Sequence, residues 1–92
     1  MELLSADEIN AQLNGWALIN NGIEKDFVFK DFSEAIAFMM RVAILCEVDN
    51  HHPEWTNVYS KVHIRLTTHD DGGVTELDII LAARIDAMLR KS

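Results

Sequence analysis

The segment "EAIAFMMRVAILCEV", residues 34–48, constrains the fold of this 92-residue chain more than any other. Between Ile36 and Cys46 its one polar residue is Arg41, so the helix it forms is apolar nearly all round. A surface helix normally covers a single apolar stripe against the core; one this apolar needs partners on more than one side. A sheet supplies the first partner. The second is either a neighbouring helix or another subunit, and association is the stronger expectation because so short a chain has only a small core.

The flanking sequence says which sheet. "SADEINAQLN" opens on Ser5 as an N-cap, with Glu8 three residues on to complete a capping box, and Ile9 and Leu13 fall on one face of a short helix ending near Gly15. "WALIN" and "IEKDFVFKDF" follow around the turn signal "NNG". Phe27 and Phe29 alternate there with Asp26, Val28 and Lys30, the period of a half-buried strand, and the two runs read as a hairpin. Ser33 is the expected cap of the apolar helix. In "TNVYSKVHIRLTT", Val62, Ile64 and Leu66 face one way and Lys61, His63 and Arg65 the other, with a break at Tyr59-Ser60-Lys61 that makes two strands. "DDGG" is a loop. "TELDIILAARIDAMLRK" is a last helix, with Thr75 and Asp78 spaced as a capping box and Leu77, Leu81, Ile85 and Met88 along one stripe. The order α-β-β-α-β-β-α predicts an α+β fold over residues 1–92, a single domain with a four-stranded antiparallel sheet and its helices packed on one face.

Composition excludes several functions. With 49% hydrophobic and 25% charged residues the chain is globular. A net charge of −7 and only eight Lys and Arg, scattered, argue against nucleic acid. No apolar run reaches the roughly 18 residues of a membrane span. "MELLSADEINAQ" shows no secretory signal, and the lone Cys46 has no intramolecular partner, so a reducing cytoplasm is the expected location. Within its apolar helix Cys46 reads as a small core residue.

All four histidines lie between His51 and His69. Pro53 pushes His52 towards extended backbone, where adjacent side chains point in opposite directions, so His51 and His52 do not readily converge on one metal ion. Neither HxxxH nor CxxC spacing occurs, and no metal site is expected. His63, between Val62 and Ile64, reads as a residue of the polar strand face. His51, His52 and His69 fall in loops or at a strand end, where binding groups concentrate. Near Glu47 and Trp55 they suit proton transfer, since imidazole titrates near neutrality, but solvated loop histidines fit the spacing as well.

Glu47, then His51-His52-Pro53, then Trp55, Asn57 and Tyr59, followed by "KVHIRLTTH" and Asp78, resembles the pterin-4a-carbinolamine dehydratase family. The likeness runs upstream through "FVFKDFSEAIAFMMRVA" and downstream through "LDIILAARI", about residues 3 to 88. It implies dimers or tetramers of the same α+β fold. It implies as substrate the 4a-hydroxytetrahydropterin left by aromatic amino acid hydroxylases, dehydrated to quinonoid dihydropterin without metal, nucleotide or prosthetic group. By the same resemblance His51 and His69 transfer protons, His52 holds the pterin, and Glu47 orients an imidazole. Pro53 and Trp55 wall the pocket, although Trp55 suits core packing equally. Asp78 closes the pattern, yet the third position of a helix already gives it a capping role. The resemblance also implies two alternatives: a dimerisation cofactor working through the apolar helix, or a pterin-binding domain of molybdopterin metabolism.

Overall fold

The computed structural model describes residues 1–90. Its elements are α1 (Ala6–Gln12), β1 (Ala17–Ile19), β2 (Gly22–Val28), α2 (Phe32–Asp49), β3 (Glu54–Val58), β4 (Lys61–Leu66), a 3₁₀ turn (His69–Asp71) and α3 (Glu76–Ala87). The four strands form an antiparallel sheet in the order β1-β2-β4-β3, and the helices cover one face, as the sequence predicts. Asn20 and Asn21, with φ of 46° and 65°, carry the β1–β2 turn. Tight hairpins need left-handed backbone at both central residues, and asparagine tolerates it.

Alternation sets the core. Ile23 and Phe27 of β2 and Val62, Ile64 and Leu66 of β4 point to the helices, against Phe38, Val42 and Cys46 of α2 and Leu81 and Ile85 of α3. Lys25 also lies on this side. Its Nζ donates to Asp86 Oδ1 at 2.9 Å while Trp16 Nε1 donates to Asp86 Oδ2 at 3.0 Å, which ties β2 and the α1–β1 connection to α3. Ser5 and Glu8 cap each other's backbone as expected.

Three expectations are corrected. Asp31, not Ser33, caps α2: its Oδ1 accepts from the Glu34 amide at 2.9 Å, and Ser33 lies inside the helix. Asp31 has the extended backbone a cap requires, and its charge also meets the positive end of the helix dipole. Leu77 is exposed and lies off the buried stripe of α3, because the capping box turns its neighbour Asp78 inward. That helix ends at Ala87; its expected extension to Lys91 falls on a residue outside those described.

The long helix shows the two faces its composition demands. Ala35, Phe38, Val42 and Cys46 are buried, while Ile36, Met40, Ile44 and Val48, spaced by four, form an exposed stripe. The α3 helix meets α2 near its C-terminal end, through Arg84 and Asp49, and leaves that stripe open. Burial, reinforced by Asp49 and Glu47, pushes the Cys46 thiol up to about 11. Among the described residues no helix is long and apolar enough to cross a membrane.

Candidate active site

The end of α2 aims the first histidine. Asn50 turns left-handed (φ 50°), and the His51 amide returns to the Cys46 carbonyl at 3.1 Å, a Schellman-type closure. The chain is thereby thrown across the N-terminus of α3, where His51 Nε2 lies 2.6 Å from Asp78 Oδ1. Asp78 is fully buried. Its other oxygen, Oδ2, accepts from the Thr75 amide at 2.9 Å and from the Thr68 hydroxyl at 2.8 Å. One carboxylate therefore does both jobs raised by the sequence: Oδ2 caps the helix and Oδ1 holds an imidazole. A carboxylate can only accept, so His51 donates Nε2–H, and in the neutral ring Nδ1 keeps the lone pair.

The neighbouring groups are looser. His52 Nε2 lies 3.1 Å from Glu47 Oε2, with both side chains exposed, so the imidazole that Glu47 reaches is His52 rather than His51. His69 opens the 3₁₀ turn, 75% exposed, with Nε2 3.4 Å from Glu54 Oε2. Gly72, at φ 76°, closes that turn and donates its amide to the Thr68 carbonyl at 3.0 Å.

His51, His52 and His69 share one cavity of about 340 Å³, whose walls are completed by Asn50, Thr67, Thr68, Asp70 and Leu77. That volume suits a small flat ligand. Pro53 and Trp55 are not among its walls; Trp55 is half-buried and packs on the core. Asp78 is not a wall of the cavity and reaches it through His51 and Thr68, which are. Asp70 of "DDGG" lies in the wall beside His69. Among the described residues no three His, Cys, Asp or Glu side chains converge as a metal would require.

Sequence reasoning missed Asn50, Thr67, Thr68 and the Glu54 contact to His69. The signal for the threonines is a break in alternation: Leu66, Thr67 and Thr68 are all buried in succession at the end of β4. His63 lies elsewhere, on the open face of the sheet, as expected. Its Nδ1 is 2.6 Å from Asp26 Oδ1 and its Nε2 2.8 Å from Glu24 Oε1. Both nitrogens donate in that arrangement, and the hydrogen bond to Asp26 above all, with Glu24 adding and burial opposing, raises its pKa.

The family model described as pterin 4 alpha carbinolamine dehydratase matches residues 2–88. The chain belongs to that family. Proteins bearing the family's name from Prochlorococcus marinus subsp. pastoris and Mesorhizobium japonicum are 49% and 51% identical to it, over 91% and 92% of this chain and 88% and 92% of theirs. Among solved structures, a transcriptional coactivator/pterin dehydratase from Brucella melitensis is similar at a TM-score of 0.89 and 40% identity, covering 97% of this chain and 100% of that one. A pterin dehydratase-like protein identified as a RuBisCO assembly factor in the alpha-carboxysome is similar at 0.72 and 26% identity, covering 86% of this chain and 94% of that one. Dehydratases and an assembly factor thus share this family's fold.

Proposed function

We propose that this chain dehydrates 4a-hydroxytetrahydropterins to quinonoid dihydropterins, within the recycling of tetrahydropterin for aromatic amino acid hydroxylases. The observation that carries the reading is three imidazoles on one cavity, one of them fixed in tautomer by a buried carboxylate. The substrate bears a hydroxyl on C4a and a hydrogen on the adjacent N5. Hydroxide is a poor leaving group, so an acid protonates it as the C4a–O bond breaks. A base takes the N5 proton, the N–H electron pair becomes the C4a=N5 bond, and water departs.

Asp78 suits His51 to the base. With Nε2–H committed to the carboxylate, Nδ1 is the nitrogen that accepts, and the imidazolium formed is balanced by the charge beside it. His69 is left as the acid, on the exposed side where water leaves, and His52, held by Glu47, flanks the ring. Acid–base help of this kind supplies roughly 10²- to 10⁴-fold in rate, and the scheme needs no cofactor.

A second copy of the chain is the proposed cover for the Ile36–Met40–Ile44–Val48 stripe, giving a homodimer or homotetramer. A scaffolding role through that surface is the second reading, favoured by the same stripe and by the similarity to an assembly factor. The histidines separate the two, because a scaffold has no use for paired proton-transfer groups. The test generates the carbinolamine and follows its absorbance decay with wild type, His51→Ala and His69→Ala. Wild type accelerates decay, and each variant loses at least about 100-fold; equal decay with all three favours the scaffold.

A further inference from the structure

A buried carboxylate aims His51, whereas His69, the proposed acid, stands exposed in the cavity wall. A ring so exposed can leave its productive rotamer, and misplacing a reacting group is costly in rate. Among the described residues one carboxylate forms an ion pair with it, that of Glu54 on β3, with Oε2 3.4 Å from Nε2. Catalytic hydrogen bonds commonly stand long until substrate binds. Glu54 is itself anchored. It sits opposite Arg65 in the β3–β4 register, and Arg65 Nε lies 3.9 Å from the same Oε2. Arg65 in turn is fixed at its far end. Its Nη1 donates to the Ile19 carbonyl at 2.6 Å and to Glu24 Oε2 at 2.9 Å, and its Nη2 to the Asn20 carbonyl at 2.6 Å. The guanidinium lies on Gly22, where an added Cβ would come within 2.4 Å of Cζ, so glycine clears the space it occupies.

We propose that Glu54 is a positioning residue that holds His69 by Nε2, with Arg65 as its post, an inference that rests on the dehydratase reading and on His69 as its acid. A carboxylate only accepts, so Nε2 carries a proton in this pairing, and Nδ1–H is the proton left for substrate. Nδ1 gives that proton to the C4a hydroxyl as the C–O bond breaks and water leaves. The neutral ring keeps Nε2–H on Glu54 and regains its other proton from solvent on its exposed side. The two working histidines are thus held alike by Nε2, His51 from the α3 cap and His69 from the open face of the sheet.

The test follows carbinolamine decay, affinity for a stable dihydropterin and Tm in wild type, Glu54→Ala, Glu54→Gln, Gly22→Ala and the double variant Gly22→Ala/Glu54→Ala. Glu54→Ala lowers kcat by about ten-fold with KM and dihydropterin affinity within about two-fold, because the contact matters as the proton is delivered. Glu54→Gln keeps an acceptor for Nε2–H and returns kcat to within about three-fold of wild type. Tm moves little in either, since the pair is exposed. Gly22→Ala displaces the Arg65 guanidinium and loses part of kcat, and the double variant is no slower than Glu54→Ala alone. In NMR the ring C–H resonances of His69 move in Glu54→Ala while those of His51 and His52 stay. Wild-type kcat in Glu54→Ala, a rise in KM instead, or a Gln variant as slow as the Ala one overturns the positioning role. Losses that multiply in the double variant overturn Arg65 as the post. If wild type itself fails to accelerate decay, the dehydratase reading falls, and this role with it.

Discussion

Replacing Asp78 with asparagine separates the two jobs of one carboxylate. Oδ2 takes the Thr75 amide and the Thr68 hydroxyl, and Oδ1 takes His51 Nε2 at 2.6 Å. Asparagine has one oxygen and one amino group. Keeping the oxygen on the two inner donors turns the amino group to His51, whose Nε2 must then accept and whose proton must move to Nδ1. The helix cap survives; the catalytic tautomer does not. Exchanging a charge-assisted hydrogen bond for a neutral one costs about 1–2 kcal/mol, hence roughly 5–15 °C in Tm for a domain of this size. Loss of the base costs about 10²-fold or more in kcat. Thr75→Ala is the control: it removes a cap at a similar cost, about 1 kcal/mol, and leaves the His51–Asp78 pair in place. Thermal melts and carbinolamine decay at saturating substrate give both numbers. If Asp78→Asn melts lower yet keeps wild-type kcat, the carboxylate is only a cap. If Thr75→Ala loses as much activity as Asp78→Asn, the loss reflects destabilisation, and the tautomer argument fails.

Three further outcomes follow from the geometry. His63 has a raised pKa between Asp26 and Glu24, so its contribution is fully present below the ordinary imidazole value of about 6.5 and is lost as pH rises through the folded value. The Tm gap between wild type and His63→Gln is accordingly wider at pH 6 than at pH 8.5, and a gap that is constant or widens upward contradicts this. Ile44→Glu and Met40→Glu, on the exposed stripe of α2, reduce the particle to a monomer in sedimentation velocity, whereas a monomeric wild type removes the proposed interface. Cys46, buried and pushed up to about 11, labels slowly with a thiol reagent at pH 8 in the native protein and fast in urea; rapid native labelling refutes its place in the core.

Much of this fold is local chemistry and therefore legible. The alternation of Val62, Ile64 and Leu66, the Asn20-Asn21 turn and the caps at Ser5 and Thr75 each need only neighbouring residues. Ser33 was a competent cap two positions from another, and only the extended backbone at Asp31 decides between them. Leu77 misleads because α3 is apolar on several sides, and its rotation is set by Asp78 turning inward. The site is less legible for a physical reason. His51 and Asp78 are 27 residues apart, and Asp49 and Arg84 are 35 apart, separations that no helical or strand period encodes. Family resemblance nominated the histidines; the pairings that give them different partners come from the packing of α2, β4 and α3.

The most direct measurement follows the histidine ring C–H resonances by NMR during titration with a stable dihydropterin. His63, on the opposite face of the sheet, is an internal reference. The account predicts that His51, His52 and His69 shift together along one saturable curve while His63 stays still. Resonances of the three that remain fixed, or that move no more than His63, contradict it.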